Sequence, residues 1–275
     1  MVPASPYEAA RVALATRHGK ERVIGRALRH GLGAELIHRP ELDTDQLGSF
    51  CGTVARRGST REACLAKADL ALRDADTDLA IASEGSFGPH PALPFLPVGQ
   101  ECMVFLDASR GLTISEELLA PRTNFAHRWL ACSVATAPSR HGLIVRSAAA
   151  PGFADDGGQA LLRKGIRSVD ALVAAVREAA AVAVDGRVLL ETDMRAHCNP
   201  TRMAAIRQLS FLLVRRLSSL CPSCGAPGWA VVDSEPGLRA SAGAATAGPD
   251  GLTRADPGHC PACNPELISP AGSPG

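Results

Sequence analysis

Three short stretches concentrate the side chains that could do chemistry. The first is Thr16-Arg17-His18-Gly19-Lys20. A helix start there would present free backbone N–H groups and a positive dipole end, so the stretch suits a phosphate. Gly19 lets the backbone come close, and Arg17 and Lys20 add charge. It is not a Walker loop, because the spacing GxxxxGK followed by Ser or Thr is absent. A solvated helix start is the plainer alternative. The second stretch is Ser83-Glu84-Gly85-Ser86, with His90 beyond it. Glu84 suits Mg²⁺ or general-base work on water, framed by Gly85, Ser86 and His90. The third runs from Glu191 through Asp193, Arg195 and His197 into Asn199-Pro200-Thr201-Arg202. In an extended conformation the alternating Glu191, Asp193, Arg195 and His197 share one face. Such a set can hold a metal or a phosphate, or run acid–base chemistry. A buried network in which Arg195 neutralises Asp193 is the alternative. Asn199 and Thr201 at the next helix start, with Arg202, add an anion site.

A separate signal lies near the C-terminus. Cys221-Pro222-Ser223-Cys224-Gly225 and Cys260-Pro261-Ala262-Cys263 are paired knuckles. Two such turns close a tetrahedral zinc site, and four thiolates leave no open position, so the zinc is expected to be structural. The gap between the pairs is long, but loop-closure cost grows slowly with length. Five further cysteines stand singly at 51, 64, 102, 132 and 198, making nine in all, and scattered thiols beside metal-type pairs argue for a reducing cytoplasm and not a disulfide framework.

The elements that must position these groups can be read from the spacing. Residues 11–16 form a short buried strand, Val23, Ile24, Ala27 and Leu28 recur at helical spacing with Gly31 where a C-cap would sit, and residues 36–38 form a second strand. Ser59-Thr60-Arg61-Glu62 is a capping box opening another helix. Residues 79–83 form a strand that leads into a Gly/Pro-rich loop over 84–97. Residues 101–106 and 112–116 pair around a turn. Further strands are expected at 141–146 and 187–192. Ser168 and Asn199-Pro200 start two more helices. Strands alternating with helices predict an α/β fold, with a mixed, mostly parallel sheet flanked by helices and a small C-terminal zinc ribbon. Each polar stretch then follows a strand, and ligands in open α/β sheets bind outside the carboxyl ends of the strands.

The chain has 275 residues and a net charge of +1, which excludes nucleic-acid binding by bulk electrostatics. Aromatics make up 4%, too few for a stacking platform for single strands. No apolar run approaches the roughly 20 residues of a spanning helix, and residues 1–11 lack the pattern of a secretory signal. A cytoplasmic location with no membrane partner is therefore expected. Residues 1–218 are expected to form the α/β domain, 219–267 the ribbon with a flexible insert at 239–258, and 268–275 a disordered tail.

The three polar stretches, together with Ala82 to Pro91 and the trailing Cys-Pro-x-Cys-Gly, resemble a bacterial family, the domain of unknown function 6671 family. The resemblance spans about residues 11–230. The N-terminal third is more distantly similar to the inosine-triphosphate pyrophosphatase type of house-cleaning enzyme. Val12 to Lys20, Lys67-Ala68 and Leu79 to Ser86 carry that similarity, which departs in having the single carboxylate Glu84 where that family often has two. It implies Lys20 and Lys67 on phosphate oxygens and Glu84 on Mg²⁺.

These readings converge on a hydrolase that uses Mg²⁺ or Mn²⁺ and acts on a nucleotide or another phosphorylated small molecule. Glu84, Asp193, Glu191 and His197 would do the chemistry. Thr16, His18, Gly19, Lys20, Lys67, Arg195, Asn199, Thr201 and Arg202 would hold phosphate. The rival is a non-catalytic nucleotide-sensing or nucleic-acid- or protein-binding module, with Cys221, Cys224, Cys260 and Cys263 on structural zinc.

Overall fold

The computed structural model describes residues 5–42, 44–47, 58–90, 93–120, 122–131, 141–147, 161–231, 245–247, 253–255 and 258–263. The apolar run β1 (Arg11–Leu14) leads through α1 (Glu21–Leu32) to β2 (Glu35–His38), and α2 (Thr60–Asp74) leads on to β3 (Leu79–Pro89). β4 (Pro97–Asp107) and β5 (Leu112–Ala120) complete a first sheet of order β2-β1-β3-β4-β5. β1 is parallel to both neighbours, while β3, β4 and β5 pair antiparallel. From β1 the chain crosses one face to β2 and returns across the other face to β3. The strand order therefore reverses between β1 and β3, and a crevice opens there at the carboxyl ends.

The expected mostly parallel sheet is corrected here. Among the described residues only the β1 pairings are parallel. A second sheet of order β6-β9-β7-β8 is antiparallel throughout; it is built from β6 (His127–Ala131), β7 (Leu143–Ser147), β8 (Leu162–Ile166) and β9 (Arg187–Thr192). For β4 and β5 the reason is connection length: the turn at Asp107 to Gly111 is too short for anything but an antiparallel hairpin. α3 (Val169–Val182) covers one face of the second sheet through Leu172, Val176 and Ala179. α4 (Pro200–Leu217) follows β9 and packs on the first sheet beside α1.

The stretch expected as a Gly/Pro loop is also corrected. β3 runs unbroken from Leu79 to Pro89, each residue opposite one of β4. A full ladder overrides the weak strand propensity of Gly85 and Gly88. Of the expected insert at 239–258, Ala245–Ala247 and Thr253–Ala255 form a short antiparallel pair. Its other residues up to 257, the tail 268–275, Cys51 and Cys132 lie outside the described residues.

The two faces of the first sheet differ in side-chain size. On one, Ile24 and Leu28 of α1 and Ile206, Leu209 and Leu213 of α4 pack against Leu14, Ile81, Met103 and Phe105. On the other, Cys64, Ala68 and Ala71 of α2 meet Ala13, Ala80 and Ala82. Small side chains on both partners bring α2 close to the sheet. Helix starts follow local chemistry: Ser59 and Glu62 form a capping box, and Ser168 and Asn199 accept from the third residue of their helices.

α1 ends at Gly33 in the left-handed region, with φ 70°, and not at Gly31. Gly31 serves packing instead, because a Cβ there would lie 2.1 Å from Val214 Cγ1. Gly31→Ala is expected to lower the urea midpoint, even though alanine is the better helix former by roughly 1 kcal/mol. The same change in a Val214→Ala background is expected to raise it.

Candidate functional site

The crevice between β1 and β3 is where the polar stretches meet. β1 pairs with β3 only as far as Leu14 and Ile81, so β3 continues past it with an open edge. Lys20 closes that edge: its Nζ donates to the Ser83 carbonyl at 2.5 Å. On the α2 side, Lys67 Nζ sits 2.5 Å from Glu84 Oε2. On the α4 side, Arg202 Nε donates to Glu101 Oε1 at 2.7 Å, and Arg202 Nη1 donates to the Met194 carbonyl at 2.6 Å. Glu101 is opposite Gly85 in the ladder, and a Cβ on Gly85 would lie 2.7 Å from both Arg202 Nη2 and Glu101 Oε2. The glycine is there so that the ion pair can lie flat on the strand.

All five charged groups are buried. Lys67 pairs with Glu84 and Arg202 with Glu101, whereas Lys20 has no carboxylate at ion-pair distance among the described residues. Three cations against two carboxylates leave one positive charge in surplus. Burial, reinforced by Arg202, pulls the Lys20 ammonium down to about 8. Burial would raise the Glu84 carboxyl, but Lys20 and Lys67 outweigh it and hold it below its ordinary range. Ser83 Oγ is buried with no hydrogen-bond partner among the described residues.

The first and third stretches also touch. The rings of His18 and His197 stack with centroids 5.2 Å apart. Beside them, Gly19, Arg22, Val23, Ala196, His197, Pro200 and Met203 line a cleft of about 510 Å³. Lys20 is the N-cap of α1, and α1 has no side-chain cap, unlike α2, α3 and α4. Thr16 is buried; its Oγ1 accepts from the His18 N–H at 3.4 Å, and its carbonyl lies 2.8 Å from His38 Nε2.

Other expected site residues stand elsewhere or are engaged. β9 ends at Thr192 and Ala196–Cys198 is a 3₁₀ turn, so Glu191, Asp193, Arg195 and His197 do not share one extended face. Asp193 is enclosed by its own neighbours: Arg195 Nη2 donates to Oδ2 at 2.6 Å, Arg195 N–H to Oδ1 at 3.0 Å, and Gly165 N–H to Oδ2 at 3.1 Å. The internal ion pair of the sequence reading is what forms. Against burial, Arg195 holds the Asp193 carboxyl low. Glu191 pairs with Arg146 at 3.3 Å. Asn199 caps α4, accepting from Arg202 N–H at 3.1 Å, and Thr201 Oγ1 lies 3.0 Å from His141 Nε2. Ser86 is on β3 opposite Gln100. His90 follows the far end of β3, about 20 Å from Glu84 at some 3.3 Å per strand residue, and its Nδ1 accepts from Leu93 N–H. Glu101 and Phe87, whose ring lies 5.2 Å from the Arg202 guanidinium carbon, are not among the expected site residues. A carboxylate inside an otherwise apolar strand is the one local signal for Glu101.

The cysteine quartet is a second centre. The ligand atoms of Cys221, Cys224, Cys260 and Cys263 all lie within 4.8 Å of one another, an arrangement that could hold a metal ion such as zinc. Backbone N–H groups of Cys224 and Ser223 point at Cys221 Sγ and draw its thiol down to about 6. Gly225, at φ 73°, closes the first knuckle by donating to the Cys221 carbonyl at 2.8 Å. The antiparallel pair β10 (Ala230–Val231) and β13 (Gly258–His259) joins the knuckles, counting the insert's two strands as β11 and β12. Arg216 of α4 bonds the Gly228 carbonyl at 3.1 Å and the Ser115 carbonyl at 2.7 Å, docking the module on β5. Among the described residues no other group of three or more potential ligands gathers, and Glu84 and Asp193 are already paired with cations, so nothing supports a Mg²⁺ or Mn²⁺ cage.

Comparison with known proteins gives the fold and these sites a family. Residues 67–264 match the family described as Domain of unknown function (DUF6671), and the chain belongs to it. The match starts at Lys67 and takes in both cysteine pairs, so it omits the Thr16–Lys20 stretch and extends beyond the expected C-terminal limit. No curated protein and no solved structure was found to match, and the similarity to house-cleaning pyrophosphatases is not shown. No helix among the described residues is long and apolar enough to cross a membrane.

Two measurements test this geometry. A Lys20 lowered in the folded state to about 8, against about 10.5 unfolded, opposes folding below pH 8 and ceases to do so as pH rises toward 10.5. Lys20→Met is therefore expected to be the more stable protein at pH 7, on the order of 3 kcal/mol at most, with the gap closing between pH 8 and 10.5 in urea titrations. Plasma emission is expected to find one metal ion per chain, lost in the Cys221→Ser/Cys260→Ser double variant.

Proposed function

We propose that the chain binds a phosphorylated small molecule, nucleotides being the first class to try, in the cleft beside Gly19 and hydrolyses it. The observation that carries this reading is the surplus buried charge of Lys20 at the carboxyl ends of β1 and β3. A low-dielectric cluster with one cation in excess lacks an anion, and its field is focused at the crevice mouth. The N-terminus of α1, without a side-chain cap, adds backbone donors, and Arg22 lines the same cleft. Lys67 and Arg202, each with its own carboxylate, would act through their field and not by contact. Glu84 then balances charge and is not free to attack water. His197, in the cleft and stacked on His18, is the group placed to move a proton. A divalent ion carried in on the phosphates would supply further neutralisation; Mg²⁺ in such complexes keeps several waters and needs no all-protein cage.

One observation favours binding without turnover as the second reading: Glu84, Glu191 and Asp193 are each paired with a cation. Zinc is the ion we assign to the quartet, as a structural brace, since four thiolates fill a tetrahedral shell. Free thiols and a thiolate metal site also fit a reducing, cytoplasmic setting.

The deciding experiment is a panel of nucleoside triphosphates, nucleoside monophosphates and sugar phosphates with Mg²⁺ or Mn²⁺, reading phosphate and pyrophosphate release beside calorimetric binding. Release from at least one compound is expected, reduced about 100-fold or more by His197→Ala. Affinity is expected to be lost in Lys20→Met and, in the wild type, to weaken above pH 8 as Lys20 discharges. Binding with no release selects the second reading, and neither binding nor release for any compound overturns both.

A further inference from the structure

On the other side of α4 lies a second cleft, of about 630 Å³, which the proposed site does not use. That volume is within the range of small-molecule sites, roughly 300–1,000 Å³. Ala120, Ala204 and Ala205 leave the room, and Leu118 and the partly exposed Phe211 supply larger apolar surface. Arg122 and Arg207 stand in the same lining, and no Asp or Glu does. Neither arginine has a carboxylate at ion-pair distance among the described residues, in contrast to Arg195, Arg202 and Arg216. The cleft shares Ala120, Arg122, Thr201 and Ala205 with a small inner void of about 10 Å³ that reaches Glu101, Arg202 and Asn124. Asn124 Nδ2 is a buried donor with no partner among the described residues.

We propose that this β5–α4 cleft is a second ligand site, for a flat aromatic small molecule bearing an oxyanion. Charge sets the anion: two guanidinium groups with no acid beside them meet a carboxylate or a phosphate through charge-assisted hydrogen bonds. Phe211 and the alanine methyls take the ring, which needs a thin apolar slot. A polar edge of the ring faces the inner void, where Asn124 can donate. The site is independent of the Gly19 cleft, because the two clefts share no lining residue.

Calorimetry on the full chain tests this with four probes: benzoate, phenyl phosphate, benzyl alcohol and inorganic phosphate. Benzoate or phenyl phosphate is expected to bind about ten-fold or more tighter than benzyl alcohol or inorganic phosphate, since ring and anion are both needed. The preferred one of the pair identifies the oxyanion as carboxylate or phosphate. Arg122→Gln/Arg207→Gln is expected to weaken that probe about ten-fold or more, as is Ala204→Leu, which fills the slot. All three positions are exposed, so unchanged unfolding midpoints are expected to show that the variants fold. Lys20→Met is expected to leave the affinity unchanged. Absence of binding at millimolar concentration, or binding indifferent to both cleft variants, overturns the proposal. Binding lost only in Lys20→Met also overturns it and places the probe in the Gly19 cleft, which separates this outcome from failure of the first reading.

Discussion

The buried guanidinium of Arg202 joins parts of the chain that are far apart in sequence. It bonds Glu101 on β4, the Met194 carbonyl beyond the second sheet, and stands over the Phe87 ring of β3. Removing one member of such a buried pair commonly destabilises by about 3–5 kcal/mol, so its partners must all be present. Gly85 is a consequence of the same constraint, because any side chain there would displace the pair. The first turn of α4 is thereby pinned to the first sheet. The clefts on either side of that turn exist because it is held there.

Around this anchor the charges are distributed unevenly. Glu101 and Glu84 neutralise Arg202 and Lys67, while Lys20 donates to the Ser83 carbonyl and has no carboxylate at ion-pair distance among the described residues. The arrangement opposes folding, and local features that do so tend to mark ligand sites. The cysteine module attaches at the other end of the same helix through Arg216, so α4 links the cysteine quartet, the ion-pair anchor and both clefts.

Much of the local structure was legible. The capping box of Ser59 and Glu62, the Ser168 cap and the Asn199-Pro200 start depend on residues within one turn of each other, so spacing alone identifies them. The two Cys-Pro-x-Cys knuckles are equally local, and the order of strands and helices over the first 80 residues followed from periodicity. The misreadings share a cause. Gly85 and Gly88 by propensity point to a loop, because propensity says nothing of the ladder waiting in β4. Gly31 by spacing suits a cap, because its use, contact with Val214, comes from a helix some 180 residues away. His90 stands away from Glu84 for the same reason: an extended strand separates what a turn would keep together.

For this protein the sequence alone determined the reactive inventory: which residues carry charge, which turns hold thiols, and which helices have caps. These are matters of covalent neighbours and short-range hydrogen bonds. The tertiary structure decided which charges are cancelled. Asp193 is silenced by Arg195 two residues away, but Arg202 is answered by Glu101 across a hundred residues, and Lys20 is left uncancelled. Pairing of buried ions depends on distances of a few ångströms in a medium of low dielectric, and only the register of β3 on β4 and the seat of α4 set those distances.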